Sequence, residues 1–243
     1  MTSPPSSLQA VHALIDAEST VSEDAARVVG WLQRLCRAAA RGLPAAGVAV
    51  SLIRDGAAQL TVAASSPVSR TVDNLQFELG EGPCLEACSM GRPVLTPDLA
   101  AADRRWPGYT RAVRAHGVEA VFAFPLQVGA ARLGAIDVYR QRPGTLSARV
   151  LSQALAFAEV ATTGLVDAQE DVGPAAWDAS LEEVLAPRLE VYQAQGMVMV
   201  QLGVDMSVAM DRMRAHAFAH DLSLEAVAAD VLARRLVLEA DRD

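Results

Sequence analysis

Cys84 and Cys88, four residues apart in the segment CLEAC, are residues whose type and spacing could do chemistry. On a short helix opened by Pro83 they would share one face and could act as a redox pair or as metal ligands. Neither reading is well supported by their neighbours. Zinc usually takes four nitrogen or sulfur ligands, and no histidine stands beside this pair. A nucleophilic thiolate needs a nearby base or positive charge to lower its pKa, and here the nearest charged residues are Glu81 and Glu86, which oppose it. Packing as small apolar side chains is the competing reading. The chain also contains no lysine, so all 21 basic residues are arginine. That excludes a G-x-x-x-x-G-K-[ST] phosphate loop, a Schiff-base lysine and the lysine-dependent phosphate chemistry of receiver domains. No catalytic residue, metal or cofactor is expected.

The elements that must position any site are bounded by composition. A chain of 243 residues, 51% hydrophobic and with a formal net charge of −8, can bury a core and suits one or two domains. No apolar run reaches the roughly 18 residues needed to span a bilayer. The start, MTSPPSSLQAV, lacks the basic and apolar regions of a secretory signal. Three cysteines are too few for a disulfide framework. A soluble cytoplasmic protein without a membrane partner is the expectation.

Residues 1–21, rich in Ser, Pro and Ala, read as a disordered tail. Ser22, with Glu23 and Asp24 behind it, reads as a helix N-cap. The helix that follows aligns Ala25, Val28, Val29, Leu32, Leu35 and Cys36 and stops at Gly42 and Pro44. Residues 45–54 and 59–65 read as an antiparallel hairpin around Asp55 and Gly56. Residues 118–128 and 131–140 form a second pair, the first of them apolar on both faces and so covered on both sides. The intervening FELGEGPCLEACSMGRPVLTPDLAADRRWPGY reads as irregular, and so long a stretch of turns is usually functional. From Ser147 a long helix aligns Val150, Leu151, Ala154, Leu155, Ala158, Ala161 and Leu165, apolar enough to pack on a partner helix. The order predicts an α+β fold, an antiparallel sheet with helices on one face.

The segments GEGPCLEA (80–87), RPVLTPDLAADRRWP (92–107) and GVEAVFAFPLQVGAARLGAIDVYR (117–140) resemble a GAF sensor domain over roughly 22–166. The resemblance implies a mostly non-catalytic domain that holds a small molecule between sheet and loops and often dimerises through its flanking helices. On that basis Cys84, Trp106, Tyr109, Phe122, Phe124 and Asp137 are candidates for the ligand pocket. Core packing explains the aromatic residues equally well. Asp137, between Ile136 and Val138, points either outward or into the pocket.

DVGPAAWDAS (171–180) reads as a hinge, giving a sensor domain over 22–168, a linker over 169–186 and a small domain over 187–243. The last comprises three helices: about 188–202, ended by Gly203; one opening near Asp205 with Met206, Ala209, Met210, Met213 and Ala217 on one side; and one capped by Ser223 with Leu224, Val227, Ala228, Val231 and Leu232 inward. Gly196 costs about 1 kcal/mol in a helix relative to alanine. It reads as a point where two backbones approach closely. V-x-Q-A-Q-G-M-V-M, A-M-D-R-M-R-A-H-A and L-S-L-E-A-V-A together resemble an ANTAR domain over about 188–236. The resemblance implies binding to paired stem-loops in nascent transcripts, which prevents termination. Many members carry lysine where Gln195 stands, so a neutral hydrogen bond replaces a phosphate contact or the contact is absent. Residues 187–236 carry five arginines (188, 212, 214, 234 and 235) against six acids (190, 205, 211, 221, 225 and 230), so RNA would be read mainly by stacking and hydrogen bonds. Tyr192, Gln195, Arg212, Arg214, His216 and His220 are the candidate RNA-contacting residues.

These readings predict a homodimeric, signal-responsive antitermination regulator in which a small-molecule or protein signal at the sensor controls RNA binding. The alternatives are a dimeric protein-interaction scaffold and a cysteine-based methionine sulfoxide reductase with Cys84 as nucleophile.

Overall fold

A computed structural model describes residues 7–19, 27–54 and 58–239, with side chains described outside 54–59 and 172–187. The expected cap at Ser22 and the loop at Asp55 and Gly56 lie outside those residues. The chain forms two compact units that divide within one helix, at Leu181.

The first unit is built on a five-stranded antiparallel sheet in the order β2-β1-β5-β4-β3, from β1 (Gly47–Arg54), β2 (Ala58–Ala64), β3 (Val94–Thr96), β4 (Ala120–Val128) and β5 (Ala131–Arg140). Both expected hairpins form. Alternation divides their side chains between two faces. Val50, Ile136 and Phe124 face one way in adjacent strands, and Ala49, Asp137 and Ala123 face the other. The first face takes α2 (Arg27–Gly42), whose Val28, Val29, Leu32, Leu35 and Cys36 are buried as the 3.6-residue period requires. Burial pushes the Cys36 thiol up, in spite of a hydrogen bond to the Val50 backbone.

Two expectations are corrected here. The 1–21 tail contains α1 (Ser7–Asp16), whose Val11 and Ile15 are buried. The helix is followed by Glu18, a buried carboxylate paired with Arg37 and Arg41 of α2. Serine and proline content at the start hid four apolar positions of an amphipathic helix. Nor do helices cover one face only. The second face carries α3 (Pro67–Leu79), α4 (Pro83–Met90) and α5 (Pro107–Ala115), all inside or beside the stretch expected to be irregular. Each begins on proline, which has no N–H to leave unpaired in the first turn and a backbone angle already helical.

The helix that follows, α6, runs from Ala148 to Leu202 without a break, so residues 169–186 are helical where a linker was expected. Ser147 caps its start, accepting from Val150 N at 3.4 Å. In the first unit it buries Ala154, Phe157, Ala158, Ala161 and Leu165 and leaves Leu155 44% exposed. In the second unit it contributes Val191, Ala194 and Val198 to a small core completed by α7 (Met206–Ala219) and α8 (Leu224–Leu232). Gly203, at φ 65°, stops α6 in a conformation that favours glycine. Asp205 and Ser223 cap α7 and α8, accepting from Val208 N at 2.9 Å and Ala226 N at 3.1 Å. The second and third of the expected helices form as separate elements, and the first is the end of α6, which ends at Leu202 as expected but begins far earlier.

Candidate functional site

On the second face of the sheet, the central strand β5 is flanked at Asp137 by two alanines, Ala49 and Ala123. Their small side chains leave room above the sheet, and that room holds a buried polar cluster. Asp73 of α3 accepts from Ser51, from Thr61 Oγ1 at 2.5 Å and from the Tyr139 hydroxyl at 2.7 Å. Gln76, one turn further along α3, donates Nε2 to Asp137 Oδ2 at 2.6 Å and accepts from Cys84 N at 2.7 Å. Asp73, Gln76 and Asp137 are all fully or almost fully buried. Burial raises the Asp137 carboxyl well above its usual range, and the neighbouring Asp73 charge raises it further.

The GEGPC segment closes over this cluster. Glu81 caps α5, accepting from Gly108 N at 2.6 Å and Tyr109 N at 2.8 Å, where a carboxylate meets the positive end of a helix. Gly82 adopts φ 143°, and a Cβ there would come within 2.5 Å of Gln76 Oε1, so glycine lets the loop sit directly on the glutamine. Glu86 forms a two-pronged pair with Arg105, one contact at 2.7 Å, and the Arg105 guanidinium lies 4.5 Å from the centre of the Trp106 ring. The two glutamates flanking Cys84 in sequence therefore anchor residues 105–109.

Of the six expected pocket residues, four meet on this face or in its cover. Asp137 points inward, and Tyr109 is wholly buried; its hydroxyl is raised well above its usual value by burial and by the Asp137 and Asp73 charges. Cys84 packs with Cys88, Ala135 and Ile53, and Trp106 is buried behind the Glu81-capped helix start. The Cys84 thiol is raised by its hydrogen bond with Cys88 and by burial. Phe122 and Phe124 do not join them: paired with Val138 and Ile136, they lie on the opposite face. Alternation along β4 separates residues that aromatic clustering in sequence had grouped. Asp73 and Gln76 were missed. Their signal is legible in retrospect, since α3 buries Ser69, Val72, Asp73, Gln76 and Phe77 on one stripe, placing polar groups at core positions.

In the second unit the expected RNA-contacting residues separate by exposure. Gln195 is buried and donates to the Met206 carbonyl at 2.6 Å, tying α6 to the start of α7. Tyr192 is half-buried, with burial raising its hydroxyl. Arg214 ion-pairs with Asp211 at 3.5 Å, and Arg212 is half-buried on α7. His216 and His220 stack with ring centres 4.0 Å apart. Burial and the His220 charge hold His216 below its usual value. Phe218, between them in sequence and 77% exposed, is a large aromatic ring open to solvent that the sequence reading missed. Arg188 is also used within the unit, bonding Glu225 at 3.4 Å.

Among the described residues, no helix is long and apolar enough to cross a membrane, and no group of three or more His, Cys, Asp or Glu could hold a metal ion. Against models of protein families, residues 28–166 match the GAF domain and residues 179–232 match the ANTAR domain. No curated protein matches the chain. Among solved structures, the GAF domain of a phosphoenolpyruvate-protein phosphotransferase from Coxiella burnetii is 14% identical, with a TM-score of 0.53, covering 68% of this chain and 94% of that one. The corresponding domain from Acinetobacter is 13% identical, with a TM-score of 0.50, covering 68% and 93%. At such identities the likeness is one of fold. The first family model spans more than half of the chain and the second follows it: the protein belongs to the GAF family, as a GAF and ANTAR domain-containing regulator.

Proposed function

We propose that the protein is a signal-responsive antitermination regulator, in which the GAF unit receives a small-molecule or protein signal and the ANTAR unit binds stem-loops of nascent transcripts. The observation that carries this reading is the succession of the two matched domains, GAF followed by ANTAR, with α6 contributing to both cores. Helix α6 is the candidate relay, and its exposed Leu155 supports a homodimer formed along it. Two linked RNA modules raise the effective concentration of the second contact, which offsets a near-neutral surface. Phe218 and the His216–His220 stack supply rings on which unpaired bases can stack, at roughly 1–3 kcal/mol per base.

The reductase reading is disfavoured by chemistry. Cys84 and Cys88 are buried, and the Cys84 thiol is held protonated. A gel shift of the full chain on a two-hairpin RNA tests the favoured reading. A complex that weakens with salt is expected, and Phe218→Ala should weaken it about tenfold while leaving thermal stability unchanged, as stacking on an exposed ring implies. Absence of any complex at low ionic strength would overturn the RNA reading and leave protein binding as the use of this unit.

A further inference from the structure

Three buried side-chain oxygens on the second face of the sheet or in its cover have no hydrogen-bond partner among the described residues: Asp137 Oδ1, the Tyr109 hydroxyl and Thr96 Oγ1. Thr96 shares the face because it pairs with Val121, which pairs with Tyr139. Buried polar atoms are ordinarily satisfied, so Asp137 Oδ1 and the Tyr109 hydroxyl, orphaned beside the acid cluster, indicate a group that completes them. The partners of the two carboxylates are equally informative. Asp73 and Asp137 both draw on Gln76 Nε2, at 3.5 Å and 2.6 Å, and on the Tyr139 hydroxyl, at 2.7 Å and 3.4 Å. Ser51 and Thr61 complete the shell of Asp73. Every one of these partners is neutral, and no arginine or histidine bonds either acid among the described residues. Two adjacent buried carboxylates without a cation are costly unless one is neutralised.

We propose that this face binds a small protonated amine, whose ammonium donates to Asp137 Oδ1 and the Tyr109 hydroxyl oxygen and whose charge offsets the Asp73–Asp137 pair. An ammonium offers three donors and no acceptor, which matches a set of orphaned oxygens beside two acids. An anionic ligand meets repulsion from Asp73, and a neutral amide brings no positive charge to take the place of the Asp137 proton. The inference rests on the sensor reading of the first unit and names the class of its ligand. Without the amine, the proton held at Asp137 does the neutralising. The titratable groups facing it are Asp73 from α3, Cys84 and Cys88 from α4, Tyr109 from α5 and Tyr139 from β5. Amine binding releases the Asp137 proton to solvent, so affinity rises with pH while the amine itself stays charged.

The test is calorimetry and thermal shift on the full chain with matched probes: primary alkylammonium ions from methylammonium to benzylammonium, and the amides and carboxylates of the same carbon skeletons. Amines should raise the melting temperature, bind more tightly as pH rises while they stay charged, and release a proton on binding wherever free Asp137 is still protonated. Asp137→Asn, close in shape, and Tyr109→Phe should each weaken binding at least about tenfold, as expected when a buried charged hydrogen bond loses its partner. If amides or carboxylates bind in place of amines, the ligand class is wrong while the sensor reading stands. If no probe binds, or amines bind the wild type and Asp137→Asn alike, the site itself is overturned. Whether a bound amine alters the RNA complex is read separately and tests the sensor reading alone.

Discussion

Asp137 shows how much a single buried residue can say. A carboxyl raised in the folded state binds a proton that the unfolded chain gives up near 3.8, so its effect on stability falls as pH rises above that value. Thermal unfolding of the full chain at several pH values should show stability declining from acid toward neutral pH. Asp137→Asn should flatten that decline and gain most at the high-pH end; parallel curves for the two proteins would mean another group titrates. The cysteines give a second residue-scale outcome. Cys36, Cys84 and Cys88 are all free and buried, and burial holds the Cys36 and Cys84 thiols protonated, so a thiol-labelling reagent should leave the folded chain largely unmodified and react with all three after unfolding. Rapid modification of Cys84 in the folded state would revive the redox reading. Gly196 corrects an expectation. A Cβ at that position would meet nothing within 4 Å among the described residues, so the glycine makes no close backbone approach there. Gly196→Ala should therefore raise the stability of the second unit by up to about 1 kcal/mol, measured by denaturant unfolding.

Elements carry the next outcomes, and α6 carries most of them. The apolar stripe of its first part was legible by periodicity, yet the stripe does not say which residues the fold covers. Leu165 is 3% exposed and Leu155 is 44% exposed, so charge at the two positions should act differently. Leu165→Arg buries an unpaired charge and should unfold the sensor unit. Leu155→Arg should leave the fold intact and shift a homodimer toward monomer in analytical ultracentrifugation. An unchanged sedimentation profile for Leu155→Arg would remove this surface from the dimer interface. The same limit explains α3, α4 and α5, whose short segments alternate turn residues with helix formers. Their glycines and prolines read as breaks, and the caps at Glu81 and the proline starts only become evident once neighbouring segments are adjacent. Strands were easier, because β4 and β5 carry a continuous apolar run whose period of two survives any tertiary arrangement.

At the scale of the whole molecule, the chain combines a three-layer sensor unit with a three-helix unit whose arginines largely face their own acids. Arg188, Arg214 and Arg235 each pair with a carboxylate within the second unit. An RNA complex should thus have a shallow salt dependence, with affinity resting on ring stacking more than on phosphate contacts. A steep slope in gel shifts from low to moderate salt would point instead to arginines leaving their acidic partners. The sequence by itself determined the fold class, the last two helices and the helix starts at Ser147 and Ser223, because each rests on local periodicity or on a side chain bonding backbone three residues away, and the resemblance of its motifs gave the order of the two domains. Only the tertiary structure decided the site. It set Asp73 and Gln76 beside Asp137 from 61 and more residues away, turned Phe122 and Phe124 to the other face, and gave Glu81 a helix end to cap. Strand register and long-range hydrogen bonding choose which polar groups are buried together, and no local pattern encodes that choice.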